Sequence, residues 1–162
     1  MTMQIKKGEI YKIKLPLISP FRTSFGTLLD REIVFVKLYD KSGLIGFGES
    51  ANLGLPVYEP EFNNSMIILL KNYLIPLVID KKIINVDDLE KLFSHIRGNN
   101  FAKTAIESAF WHIQSQLTGE PLKKLWGGVR CKIPVVVSIG LGKNLKESIK
   151  KFKKYTIEKI FC

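Results

Sequence analysis

Cysteine is nearly absent from this chain of 162 residues: Cys131 and Cys162 are the two present, with no CxxC spacing. Neither a disulfide framework nor a zinc site is indicated. Histidine is equally scarce. His95 and His112 each lack a second ligand at metal spacing and read as structural residues. No apolar run reaches the roughly 18 residues that a membrane-spanning helix requires. The opening MTMQIKKGEI also lacks the apolar stretch of a secretory signal. These absences point to a cytoplasmic protein with no membrane partner. Acidic residues are few, 15 against 25 Lys and Arg, for a net charge of +10. Such a charge attracts polyanions whatever the fold. Its distribution argues against a nucleic-acid partner, because the densest cluster, KESIKKFKKYTIEKI, is flanked or interleaved by Leu145, Ile149 and Phe152 at spacings of three and four. That is an amphipathic helix with a solvated lysine face. Nor do the aromatics alternate with basic residues, as a single-strand stacking platform demands.

What is present follows a clear order. QIKKGEIYKIKLPL, REIVFVKLYD and GLIGFGES are rich in β-branched and aromatic residues, and DKSG between the second and third is a turn signal, so the opening reads as an antiparallel meander. SPFRTSFGTLLD reads as a long loop between the first two strands, and ANLGLPVYEPE as a loop after the third. FNNSMIILLKNYLIPLV predicts a helix kinked or ended by Pro76, and NVDDLEKLFSHI a helix capped by Asn85 or Asp87. The strongest helix is FAKTAIESAFWHIQSQLTG. Ala102, Ala105, Ile106, Ala109, Phe110, Ile113 and Leu117 make its apolar stripe, and Gly119 then Pro121 stop it. A short helix in PLKKLWGG comes next. KIPVVVSIGLG lacks alternation, which predicts a strand buried on both faces, as in a parallel sheet. The lysine-faced helix and a further apolar strand, IEKIFC, complete a strand, helix, strand order, the opening of a β/α barrel.

Four stretches together, SPFRTSFGT with REIVFVKL, GLIGFGES, AKTAIESAFWHIQSQLTGEPLKKLWGG and PVVVSIG, resemble the enolase superfamily. PFRTSFG, LPVYEPE and VSIG bring the resemblance closest to the o-succinylbenzoate synthase / N-acylamino acid racemase type. The resemblance implies an α+β chain: an enolase-like N-terminal capping domain over 1–128, with a three-stranded antiparallel sheet followed by a helical bundle, and the first β/α unit of an incomplete TIM barrel over 129–162. It implies a small-molecule carboxylate as substrate and either a homo-oligomer or a separate barrel segment as partner.

The chemistry implied is removal of a proton α to a carboxylate, with Mg2+ neutralising charge as it develops on the carboxylate oxygens. The family's base sits in a Lys-x-Lys pattern on the second barrel strand, and its acidic metal ligands on the strands that follow. Lys159 is followed by Ile160 and Phe161, so no catalytic lysine and no metal ligand is carried over to this sequence. What carries over is the lid. Phe21, Thr23, Ser24 and Phe25 in the first loop, Tyr58 in the second and Ser138 at the end of the first barrel strand are the expected substrate-binding residues. The alternatives are that Phe21 and Phe25 plug the sheet, that Ser138 is a plain strand residue, and that Arg22 and Glu49 form surface ion pairs. At the level of the chain, the alternatives are a noncatalytic capping module that pairs with a separate barrel, and a basic polyanion-binding protein.

Overall fold

Asp40, Lys41, Ser42 and Gly43 make the turn that DKSG announces. The buried Asp40 carboxylate accepts the Ser42 amide at 2.8 Å, the Ser42 hydroxyl, and the Gln4 amide at 2.6 Å. Gly43 takes a φ of +91°, which costs glycine little. Burial pushes the Asp40 carboxyl up, but the hydrogen bonds from Ser42, Gln4 and Lys41 outweigh it and hold the group below its ordinary value. The turn joins β2 (Gly26–Asp40) to an antiparallel β3 (Ile45–Ser50), with Val34 opposite Ser50 and Tyr39 opposite Ile45. β1 (Met3–Thr23) lies on the other side of β2. A two-residue strand, β4 (Lys82–Ile83), pairs antiparallel with Met3 and Gln4, giving the order β3-β2-β1-β4. The sheet therefore has one strand more than the sequence suggests.

The computed structural model describes residues 2–157. Its helices are α1 (Asn63–Leu69), α2 (Ile75–Val78), α3 (Val86–Phe93), α4 (Asn100–Thr118), α5 (Leu122–Leu125) and α6 (Leu145–Ile157). Between α1 and α2 the helix widens into a single π turn, Leu70–Leu74. Pro76, just beyond, has no amide hydrogen and its ring crowds the carbonyl four residues back, so a widened turn at this point relieves the conflict. Asn85, not Asp87, caps α3 by accepting the Asp88 amide at 3.0 Å. Gly119 ends α4 with a φ of +69°.

The core is where sheet and helices meet. Met3, Ile5, Val34, Val36 and Leu38 pack with Met66, Leu70, Leu74 and Val78, and with the stripe Ala102, Ala105, Ile106, Ala109, Phe110 and Ile113. All but one of the residues named for the α4 stripe are buried, and the exception, Leu117, packs at its margin. α4 comes against β3 backbone to backbone. A Cβ on Gly46 or Gly48 would collide with the carbonyl oxygens of Ala109 and Ala105 respectively. GFGES thus owes its two glycines to helix contact, since any side chain there would push α4 off the sheet.

Two expectations need correcting. SPFRTSFGTLLD is not a loop: β1 continues through Thr23 and β2 begins at Gly26, so the segment is a long hairpin turning over Ser24 and Phe25. KIPVVVSIGLG is not a strand. Residues 129–143 form no strand and no ladder, and Ile133, Val135, Val136 and Val137 are exposed. A strand exists only through ladder bonds to a neighbour, and the described residues supply none for it. The strand expected at IEKIFC has its first residue, Ile157, in α6, and the rest lies outside the described residues.

The chain divides into two compact units, one of Met1–Lys14 with Glu32–Gly128, the other of Leu15–Arg31 with Val129–Cys162. The far part of the β1–β2 hairpin therefore belongs with the segment after Gly128, which carries α6, and not with helices α1 to α5.

Candidate functional site

In the second unit, the hairpin tip is fixed by its own chemistry. The Thr23 hydroxyl donates to the Gly26 carbonyl at 3.1 Å, closing the turn, and Gly26 takes a φ of +152° that disfavours any side chain. Ser24 is exposed, Phe25 is half exposed at 50%, and Phe21 is half-buried. The backbone of Leu141 donates to the Arg22 carbonyl at 3.0 Å. A Cβ on Gly140 would stand 3.1 Å from both the Arg22 nitrogen and Cδ2 of the Phe21 ring. The hairpin is thus stitched to the residues that follow Ser138. Of the expected pocket residues, Phe21, Thr23, Ser24, Phe25 and Ser138 share this unit. Ser138 itself is exposed, on irregular backbone.

Tyr58 belongs to the first unit and sits at the tip of the loop between β3 and α1. It is 71% exposed, with Leu55 and Val57 beside it in sequence also exposed. The base of that loop is the opposite in character. Asn52 and Asn63 are buried. Asn52 donates from Nδ2 to the Glu61 carbonyl at 3.0 Å and accepts the Gly54 amide at 3.2 Å. Asn63 donates from Nδ2 to the Glu32 carbonyl at 3.2 Å, and its amide reaches the Gly54 carbonyl at 3.3 Å. The Glu61 carboxylate accepts the Phe101 and Ala102 amides, each at 3.2 Å. Asn52, Glu61 and Asn63 were not singled out by the sequence. The Asn-x-Gly run in ANLG is a turn signal that could have flagged Asn52, whereas nothing local to Glu61 announces a bond to a helix some 40 residues away.

Charge elsewhere is structural. Glu9 accepts from Lys7 Nζ at 2.6 Å, Tyr39 Oη at 2.7 Å and Tyr11 Oη at 2.8 Å. The Lys7 bond first, then those of Tyr39 and Tyr11, hold its carboxyl down to about 2. A carboxylate that weakly basic is ill suited to abstract a proton near neutral pH. His112 is likewise structural, its Nδ1 accepting the Phe47 amide at 3.2 Å. Among the described residues no three His, Cys, Asp or Glu side chains converge in a way that could hold a metal ion. The described residues do not fit a magnesium site.

Residues 8–127 match the family described as mandelate racemase / muconate lactonizing enzyme, N-terminal domain. An o-succinylbenzoate synthase of Listeria innocua is 34% identical over 153 residues, 94% of this chain and 41% of that protein. An N-succinylamino acid racemase of Thermus thermophilus is 31% identical over 156 residues, 96% of this chain and 42% of that protein. The solved structure of an enolase-superfamily member from Listeria innocua superposes with a TM-score of 0.87 at 34% identity, covering 96% of this chain and 42% of that one. The chain belongs to the mandelate racemase / muconate lactonizing enzyme branch of the enolase superfamily and carries its N-terminal domain. Its α+β architecture is the one the sequence led us to expect. It spans about two-fifths of the length of these relatives. Among the described residues no helix is long and apolar enough to cross a membrane.

Proposed function

We propose that this chain is the substrate-capping part of an enzyme that removes a proton α to a carboxylate, of the o-succinylbenzoate synthase / N-acylamino acid racemase kind. The observation that carries the reading is the bond between Leu141 and Arg22, with Phe21 packed at Gly140. It ties the hairpin to the segment that follows Ser138, so that a lid and the first element of a barrel form one unit. In this role Phe21 and Phe25 supply apolar wall, Thr23 holds the turn, and the exposed hydroxyls of Ser24 and Ser138 offer hydrogen bonds to a polar group of the substrate. Tyr58 takes a similar part on the strength of the family resemblance. Excluding water is the chemical purpose of such a lid, since it strengthens every charge interaction around the developing enediolate.

Magnesium is the metal this family's chemistry implies, and it would stabilise charge on the substrate carboxylate. The described residues hold no site for it, so none of the work assigned to this chain passes through the ion. The base, too, lies elsewhere: no Lys-x-Lys pattern occurs at the position the family uses. We therefore assign this chain binding and water exclusion, with cytoplasm as its compartment and a barrel segment, in the same or a separate polypeptide, as its partner. The exposed Ile133 and Val135–Val137 are where such a barrel segment would pair in either form, because an apolar strand sequence without a sheet is a surface for pairing.

The test is a dehydratase and racemase assay with magnesium, run on the 162-residue chain and on the chain supplemented with a barrel segment of a relative. Turnover only in the supplemented sample is the expected result. Turnover by the chain alone would overturn the assignment.

A further inference from the structure

We infer that Glu61 is a positioning residue that latches the Tyr58 loop to the start of α4. Helix α4 begins without help from its own flank. Asn99, at its N-cap, is left-handed with φ 56° and ψ 42°, and its side chain makes no cap bond. Its amide nitrogen Nδ2 instead donates to the Arg97 carbonyl at 2.9 Å. The first amides of a helix have no partner within the helix, and an acceptor must come from outside. Glu61 supplies two, Oε1 to Phe101 and Oε2 to Ala102, each at 3.2 Å. A carboxylate at this end also meets the positive pole of a 19-residue helix.

The same residue closes the loop. Its carbonyl accepts from buried Asn52, whose Oδ1 holds the Gly54 amide, and the Gly54 carbonyl in turn takes the amide of buried Asn63. Gly54 stands at a φ of +83°, and a Cβ there would meet Asn63 Nδ2 at 3.3 Å. The ends of the loop are therefore clamped together while its tip, Leu55 to Tyr58, remains exposed. This is the build of an Ω-loop, with one addition: Glu61 anchors the clamp to the helix whose apolar stripe forms the centre of the core. A loop so mounted can vary its tip residues without moving its base. That division suits a segment which selects among substrates, and this purpose, though not the latch itself, rests on the proposed function.

Hydrogen exchange of the intact chain tests the latch without any substrate. In Glu61→Ala, the bonded loop amides of Gly54 and Asn63 and the helix amides of Phe101 and Ala102 should exchange faster by on the order of tenfold, with Glu61→Gln between that variant and the wild type. A core variant of matched melting temperature, Ile113→Val, should leave the ratio of loop to core exchange unchanged. If Glu61→Ala speeds the loop no more than Ile113→Val does, the latch is refuted. Should Glu61→Ala fail to fold, Glu61→Gln against Ile113→Val decides on the same criterion. Failure of the activity assay above would leave this result untouched, so the two ideas fall separately.

Discussion

His112 on α4 accepts, through Nδ1 at 3.2 Å, the backbone N–H of Phe47 on β3. One helical turn further on, Gln116 donates to the carbonyl of Ile45 at 2.8 Å. β3 is an edge of the sheet, and a bare edge is a template for pairing with another chain. Two side chains of α4 occupy the ladder positions that a foreign strand would need. His112→Leu keeps the side-chain bulk and removes the acceptor. Because Phe47 is partly exposed, water replaces the lost partner, and the expected cost is about 0.5 to 1 kcal/mol. The sharper readout is the Phe47 amide, which should exchange markedly faster while the Gly46 and Gly48 amides do not.

Gly48→Ala is a severe change for a single methyl group. The new Cβ would meet a backbone oxygen, that of Ala105, which has no rotamer by which to retreat. The expected loss is about 3 kcal/mol, seen as a large drop in melting temperature or as insoluble protein. Gly98→Ala is the control. Its added Cβ meets nothing within 4 Å, and its φ of +58° leaves only the left-handed penalty, about 1 to 2 kcal/mol. A Gly48→Ala protein as stable as Gly98→Ala would disprove the backbone contact.

These contacts show what could be read from the residues and what could not. The meander, the DKSG turn and the α4 stripe were legible because each is written in adjacent or periodic positions: Asp40 and Gly43 mark their own turn, and Ala102 to Ile113 mark their own face. The segment 19–30 resists reading because Ser19, Pro20, Ser24 and Gly26 carry loop chemistry, although the backbone is extended on either side of a two-residue turn. PVVVSIG failed for the opposite reason. Its residues favour a strand, but a strand is a property of pairs, and no partner lies among the described residues. Of the site, Phe21, Thr23, Ser24, Phe25, Tyr58 and Ser138 were named from resemblance. The support beneath Tyr58 was invisible, since Glu61 meets Phe101 only after the chain has folded.

The Glu9 cluster gives a pH signature with a definite sign. Its carboxyl is depressed from 4.5 to about 2, so the folded chain favours the ionised form. The stability this contributes is present above the unfolded value and is lost as pH falls through the folded one. The difference in melting temperature between wild type and Glu9→Gln should be constant near neutrality. It should begin to shrink as pH drops below 4.5 and reach its limit near 2. A difference that grows on acidification would show that Lys7, Tyr11 and Tyr39 do not hold the carboxylate as described.

The last expectation concerns the unpaired apolar run. Val136 is 95% exposed and Ile133 69%, with Val135 and Val137 between and beside them. Burying such residues is worth about 1.5 to 3 kcal/mol each, and their free backbone groups add the means of pairing. Association between copies of the chain is the available outlet when no barrel strand is supplied. Sedimentation velocity should therefore show a concentration-dependent shift to larger species. Val136→Lys places a charge in the middle of the run, where any new ladder would have to bury it, and should suppress that shift. The melting temperature should stay the same, because the helical core draws nothing from residue 136. Wild-type chain that sediments as a single monomer at high concentration would mean that the run is covered in solution, and would count against a barrel segment pairing there.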